Sequence, residues 1–453
     1  MWEPTSWRNF EALQQPIYPD STELSAVLAE IRRLPPLVFV QEIRALKKEL
    51  AQAARGQRFI LQGGDCAEKF SDCTETMISS KVKILLQMAT ILAYGTGKPI
   101  TRIGRIAGQY GKPRSQQWET IDGCKLPVFR GDNVNSIGAT LDLRRPDPKR
   151  LVVGYHLASL TLNYIRAFST SGFTNIQSLD QWNLDFIDSS KYITEYQSIV
   201  SQVKHAMRVL KPMDSRLAKS LRVSAPVPIF TSHEGLILGL EEAFTRYAPA
   251  QKGFYNLSAH LIWIGDRTRC LTGSHVEYCR GIENPIGIKV GPSMEPEEVC
   301  RVITTLNPSN EEGKIAIIAR FGKQAVKDLL PALIDRVTAR GLNVCWFSDP
   351  MHGNAIVTDG GIKTRDFNDV LEELRLAFAI HRDRRVVLGG VHFEMTGEDV
   401  TECVGGSEGL GIEDLSRNYE SYCDPRLNYR QSLEMAFIIA TLAGDQSTTF
   451  QRN

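Results

Sequence analysis

Eight short β-prone runs punctuate the sequence, each ending in a polar or glycine-rich turn: QRFILQGGDC, PITRIGRIAG, VPIFTSHEG, HLIWIGDR, PIGIKVGP, KIAIIARFG, NVCWFSDPM and VVLGGVHFEMTG. Helical patterns separate most of them. In QAVKDLLPALIDRVTARG, Val326, Leu329, Leu330, Leu333, Ile334 and Val337 follow i, i+3, i+4 spacing, and Gly341 offers a C-terminal stop. SMEPEEVCRVITTLN sets Pro296 in its first turn and lines Val299, Val302, Ile303 and Leu306 along one face. Eightfold strand-helix alternation favours an α/β fold of the (β/α)8 barrel type over a doubly wound sheet with a small added domain. Two segments depart from the repeat. Residues 1–56 read as a mostly helical N-terminal extension to a catalytic barrel over 57–453. The stretch from about 116 to 222 is too long for one crossover helix and reads as extra helices inserted between strands two and three.

The 53 basic residues nearly cancel the 52 acidic ones, so no whole-protein field points to nucleic acid or an anionic membrane. Nine scattered cysteines without a CxxC pair fit a reducing cytoplasm better than a disulfide framework. The start, MWEPTSWRNF, lacks the basic flank and apolar segment of a leader, and no uninterrupted apolar stretch reaches membrane-spanning length. Asn256-Leu-Ser258 is then a coincidental glycosylation sequon, and the RGD at 130–132 a turn.

In a barrel the C-terminal strand ends share one mouth. Strand one delivers Cys66; strand two Arg105, with Lys112 and Arg114 in the following loop; strand three His233 and Glu234; strand four Asp266 and Arg267. Strands five to eight add Lys289, Arg320, Asp349 with His352, and His392 with Glu394. Six cations (Arg105, Lys112, Arg114, Arg267, Lys289 and Arg320) in one mouth of a nearly neutral protein are costly unless anions occupy it, which points to phosphate or carboxylate substrates. One or two of the six are expected simply to pair with Glu234, Asp266 or Asp349. Cys66, His352, Glu394 and an acid from the loop after strand eight, Asp424, would suit a divalent transition metal of mixed ligand softness. Each ligand taken singly is weak, since a lone strand-end cysteine is usually a small core residue. His392 and Glu394 share a face at period two, and spacing does not choose between them.

The motifs QGGDCAE, RIAGQYGKPRS, SHEGL, WIGDRTR, GIKVGP, DPMHGN, HFEMTGEDVTECVGG and CDPRLN, in that order from about residue 57 to about 440, resemble the type II 3-deoxy-D-arabino-heptulosonate 7-phosphate (DAHP) synthases. The resemblance implies a (β/α)8 barrel and a transferase that condenses phosphoenolpyruvate with D-erythrose 4-phosphate and water. The products would be DAHP and phosphate, at the entry to the shikimate pathway and aromatic amino acid biosynthesis. It implies metal ligands at Cys66, His352, Glu394 and Asp424, leaving His392 as their support, with Mn2+ or Co2+ favoured and Zn2+ or Fe2+ possible. It implies that phosphoenolpyruvate is held by Arg105, Arg267, Lys289 and Arg320, with Lys112 and Asp266. Erythrose 4-phosphate would lie along Lys112, Pro113, Arg114 and Ser115, with Glu234 and Trp263 completing the walls. Cys66, Arg105, Lys289, His352, Glu394 and Asp424 would form the catalytic set, and Glu234 is a candidate proton acceptor for the added water.

The sequence departs from the family pattern after strand four, where Cys270-Leu-Thr-Gly-Ser-His275 replaces Gln-Leu-Asp-Gly-Ala-His, which costs an acid at Thr272. Other readings are a synthase serving a secondary pathway such as phenazines, another metal-dependent barrel acting on phosphorylated sugars or keto acids, and a non-catalytic relative. The extension and inserted helices, in members that have them, build homo-oligomer contacts (dimer or tetramer) and pockets for aromatic amino acid effectors. Cys423 stands beside Asp424, so a reversible Cys66 to Cys423 disulfide is expected in metal-free protein.

Overall fold

The computed structural model describes residues 2–170 and 228–450. Eight parallel strands close into a barrel: β1 (Phe59–Gly64), β2 (Ile100–Arg105), β3 (Ile229–Glu234), β4 (Leu261–Ile264), β5 (Ile286–Val290), β6 (Ile315–Ala319), β7 (Cys345–Ser348) and β8 (Leu388–Glu394). Each pairs with its sequence neighbours, and β8 closes on β1 with Glu394 opposite Gly64. Closure excludes the doubly wound alternative. Strands such as Ile315–Ala319 are buried along their whole length, as parallel strands covered by helices on one side and packed into the barrel on the other must be.

Helix Pro296–Leu306 begins at the proline, because that position needs no backbone donor, and buries Val299, Val302, Ile303 and Leu306. Helix Val326–Ala339 buries Val326, Leu330, Leu333, Ile334 and Val337. Leu329, expected on that stripe, is 39% exposed, because it lies at the stripe's edge beyond reach of the barrel. Helix Glu75–Thr96 is long and apolar enough to cross a membrane by length and composition, although Lys81 and Lys83 interrupt it. More than half of its apolar window is buried.

The N-terminal region contributes helices Ser21–Arg33 and Val40–Ala54. The second closes the barrel floor, where Leu46, Leu50 and Ala53 pack with Ile60, Ile103, Phe230, Leu261, Ala316, Ile318, Cys345 and Phe347. Between β2 and β3 the chain forms a hairpin, Trp118–Ile121 with Cys124–Pro127, before helices Leu141–Arg144 and Lys149–Thr170. The hairpin was not foreseen. The rest of the expected inserted helices, 171–222, lies outside the described residues. Asn256 of the sequon is fully buried, and Asp132 of the RGD is buried with its carboxylate accepting from the Phe70 backbone N–H.

Candidate active site

The opening glycine-rich turn shows how local sequence builds the mouth. Gly64 ends β1 at φ 144°, and a Cβ there would lie 2.7 Å from the Arg105 carbonyl oxygen. Only glycine lets the two strand ends approach so closely. Asp65, fully buried, pairs with Lys81 at 2.5 Å and Arg426 at 2.7 Å and so ties the turn to the helix layer. Glu68 accepts from the backbone N–H groups of Ala107, Gly108 and Gln109. It thereby holds the loop after β2, including Ala107 at φ 61°, against the loop after β1.

All six cations predicted at strand ends line one cavity of about 740 Å³. Cys66, Pro113, Ser115, Glu234, Trp263, Asp266, His352, Glu394 and Asp424 line it as well. His233 does not. Its ring turns into the helix layer, 2.9 Å from Glu241, because period two sends it to the face opposite its strand neighbours.

The donor cluster is dense. Ligand atoms of Cys66, Glu394 and Asp424 lie within 4.8 Å of one another, as do those of Asp349, His352 and His392. His352 joins the two groups: its Nδ1 lies 2.8 Å from Asp349 and its Nε2 2.9 Å from Glu394 Oε1. Each ring nitrogen of His352 thus faces a carboxylate oxygen, so a proton or a metal cation must lie between Nε2 and Glu394. The Lys112 ammonium supplies positive charge on the other side, 2.8 Å from Cys66 Sγ and hydrogen-bonded to Asp424. Burial opposes charge in all these groups, yet Lys112 holds the Asp424 carboxyl well below its usual range, while His352, Arg365 and Arg105 do the same for Glu394. The Cys66 thiol is pushed up by burial, by its hydrogen bond with the Cys423 thiol and by Asp424 and Glu394. A buried set of thiol, imidazole and two carboxylates has the mixed donor chemistry that fits a divalent metal.

Arg105 anchors the mouth's centre. It donates to the Asp65 carbonyl at 2.8 Å, to His392 Nε2 at 2.6 Å and to Glu394 at 3.0 Å, and lies 5.1 Å over the Trp263 ring. His392 Nδ1–H donates to Gln62 Oε1 at 2.8 Å, and the Gln62 amide donates to Ser232 at 2.9 Å. Burial, reinforced by Lys289, holds His392 neutral, which fixes its tautomer as the acceptor for Arg105. Lys289 pairs with Asp349 and is pulled down to about 8 by burial. Arg320 donates to the His352 carbonyl at 2.6 Å and lies 3.6 Å from Asp266. Arg267 reaches the Ser115 hydroxyl at 3.0 Å. The pairing expected with Asp349 and Asp266 thus falls on Lys289 and Arg320, and beyond that expectation Arg105, Lys112 and Arg114 pair with Glu394, Asp424 and Glu119.

Sequence reasoning missed Lys363 and Arg365. They sit on a hairpin after β7, Ala355–Val357 with Lys363–Arg365. Lys363 pairs with Asp424, and the buried Arg365 pairs with Glu394 at 2.7 Å. Their period-two spacing in IKTRDF was the available signal.

A barrel whose mouth gathers cations around a buried metal-type donor set defines an enzyme for anionic substrates. Residues 2–440 match the class-II DAHP synthetase family, and the chain belongs to it. It is 44% identical over 441 residues to a phospho-2-dehydro-3-deoxyheptonate aldolase of Streptomyces coelicolor, covering 97% of each chain. It is 45% identical over 455 residues to a protein of the same name from Neurospora crassa, covering 97% of this chain and 94% of the relative.

Proposed function

We propose that this mouth condenses phosphoenolpyruvate with D-erythrose 4-phosphate to give DAHP and phosphate, the first step of the shikimate pathway. The single observation that carries the reading is the convergence in one cavity of six cations with Cys66, Glu394 and Asp424 and with His352, which reaches Glu394. Two multiply charged substrates account for that much positive charge. Arg105, Arg267, Lys289 and Arg320 would hold phosphoenolpyruvate, with Lys112 and Asp266 beside it. Lys112, Pro113, Arg114 and Ser115 would hold the phosphate end of erythrose 4-phosphate.

The family is metal-dependent, and Cys66, His352, Glu394 and Asp424 would hold the ion; the donor set suits Mn2+, Fe2+, Co2+ or Zn2+, of which the family resemblance favours Mn2+ or Co2+. When bound, such an ion polarises the aldehyde as a Lewis acid. The protein's part is to hold C3 of phosphoenolpyruvate in line with that aldehyde, which removes most of the entropic barrier. As the new carbon-carbon bond forms, C2 becomes electron-poor and water adds there. Phosphate then leaves by carbon-oxygen cleavage, stabilised by Arg267, Lys289 and Arg320. Glu234 supports the role of proton acceptor for the water. Its Oε1 is buried without a hydrogen-bond partner against Gly265, and burial raises its carboxyl above the usual range despite the surrounding cations.

Nine free thiols support a cytoplasmic setting. Assembly as a homodimer or homotetramer, and feedback by aromatic amino acids, belong to the same reading. The decisive assay follows phosphoenolpyruvate loss and phosphate release with each substrate alone and both together, with and without divalent metal. Release only with both substrates and metal is expected, with metal content falling in Cys66→Ser. Metal binding without phosphate release would overturn the reading.

A further inference from the structure

The segment before helix Ser21–Arg33 is fastened along the outside of the barrel. Trp2 donates to the Glu277 carbonyl at 2.9 Å, Trp7 donates to Glu242 at 3.0 Å, and Ser274 donates to the carbonyls of Trp7 and Phe10. A backbone bridge then joins Glu11 to Gly273. These contacts carry the strap to the rim of the mouth, where two consecutive glutamines turn inward. Gln14 takes φ 64°, a left-handed conformation that a non-glycine residue adopts only when its surroundings hold it there. Its side-chain carbonyl accepts from the Arg114 backbone N–H at 2.8 Å. Gln15 clamps the turn that follows Glu234, donating to the Leu236 carbonyl at 2.8 Å and accepting from the Leu238 N–H at 3.0 Å.

We infer that Gln14 is a positioning residue for the sugar phosphate, acting through Arg114, so that the N-terminal strap forms part of the substrate site. This rests on the reading of Arg114 as a phosphate contact. The loop carrying Arg114 has few other supports: Lys112 N–H bonds to the Arg130 carbonyl at 2.8 Å, and Arg267 reaches Ser115. The Arg114 guanidinium itself lies 3.6 Å from Glu119, which lines the same cavity, so the side chain has an acidic partner there but its backbone has no support from that pair. The Gln14 carbonyl therefore sets where the Arg114 backbone stands before a phosphate arrives. Such preorganisation lowers the ordering cost of binding most for the ligand whose phosphate meets Arg114, and less for phosphoenolpyruvate, which meets this loop only through Lys112 and the Ser115–Arg267 contact.

The test uses Gln14→Gly in the full-length, metal-loaded enzyme. Glycine accepts the left-handed backbone and removes only the side chain, so folding is preserved, and the melting temperature checks this against Gln14→Ala. The KM for erythrose 4-phosphate should rise roughly five- to tenfold, the effect of one lost hydrogen bond, with kcat and the KM for phosphoenolpyruvate within about twofold of wild type. In an Arg114→Ala background the Gln14→Gly change should add little, because the two act as one unit. Equal changes in both KM values, no change, or a full additional effect without Arg114 would overturn the inference. An Arg114→Ala enzyme with an unchanged KM for erythrose 4-phosphate would overturn the substrate reading beneath it, and the inference with it.

Discussion

The two ends of the barrel are built from the same eight strands and solve opposite problems. At the floor, Leu46 and Leu50 of helix Val40–Ala54, both fully buried, meet the apolar residues at the strand starts, and stability comes from area removed from water. At the mouth, buried Arg105, Arg365, Lys289, Glu394 and Asp349 meet one another, and each charge is tolerable only because its partner is present. A barrel can therefore carry expensive chemistry at one end because the other end is inexpensive to bury. Stability and function are separated along its axis.

The sharpest way to break this contrast is Glu394→Ala. It strands Arg105 and Arg365 in a buried site, and a loss of about 3–5 kcal/mol is expected in denaturant unfolding, together with loss of turnover. A variant as stable as wild type would mean that the mouth's charges are not balanced pairwise. Leu50→Ala is the matching change at the floor. It should cost about 2–5 kcal/mol through its cavity while leaving kcat and both KM values of the folded enzyme unchanged.

Glu373 lies beneath two mouth loops, accepting from the Phe321 and Gly322 N–H groups and from the Asn354 amide. Burial pushes its carboxyl up from 4.5 to about 7. The folded chain thus binds this proton more tightly than the unfolded chain. The resulting stability is complete below pH 4.5 and is lost as pH rises toward 7, on the order of 1–3 kcal/mol. Glu373→Gln, neutral throughout, should flatten that fall in urea titrations from about pH 5 to 8; an unaltered slope would assign it to another group.

The smallest effect concerns Cys66 and Cys423, free thiols in hydrogen-bond contact at the mouth. Chelated enzyme left in air and then reloaded with metal should show activity lost severalfold faster than a Cys423→Ser variant treated alike, and dithiothreitol before reloading should restore it. Equal rates of loss in both would exclude a disulfide between them.

Much of the mouth was legible because chemistry placed at a strand end needs only the strand to be found. Cys66, Arg105, Lys289 and Glu394 each follow from a β-prone run and its last residues. His233 also stood at a strand end, but period-two geometry alone did not say which face opens on the cavity. Lys363 and Arg365 were missed because a hairpin appended after β7 carries them back over the mouth. Gln14 and Gln15 carry no charge and lie outside the barrel repeat, so nothing local distinguished them.

The order of hydrophobic runs and helices was enough to favour the barrel, but only the pairing of β8 with β1 excluded a doubly wound sheet, because an open sheet shows the same alternation. The order of runs also determined that the mouth is cationic, because strand polarity assigns every C-terminal end to one side. Which groups neutralise one another was decided only in three dimensions. Lys112 meets Cys66 and Asp424, and Arg365 meets Glu394, across separations that sequence periodicity does not encode. Likewise, the strap's hold on Arg114 depends on closure of the whole barrel, which brings residue 14 to within one hydrogen bond of residue 114.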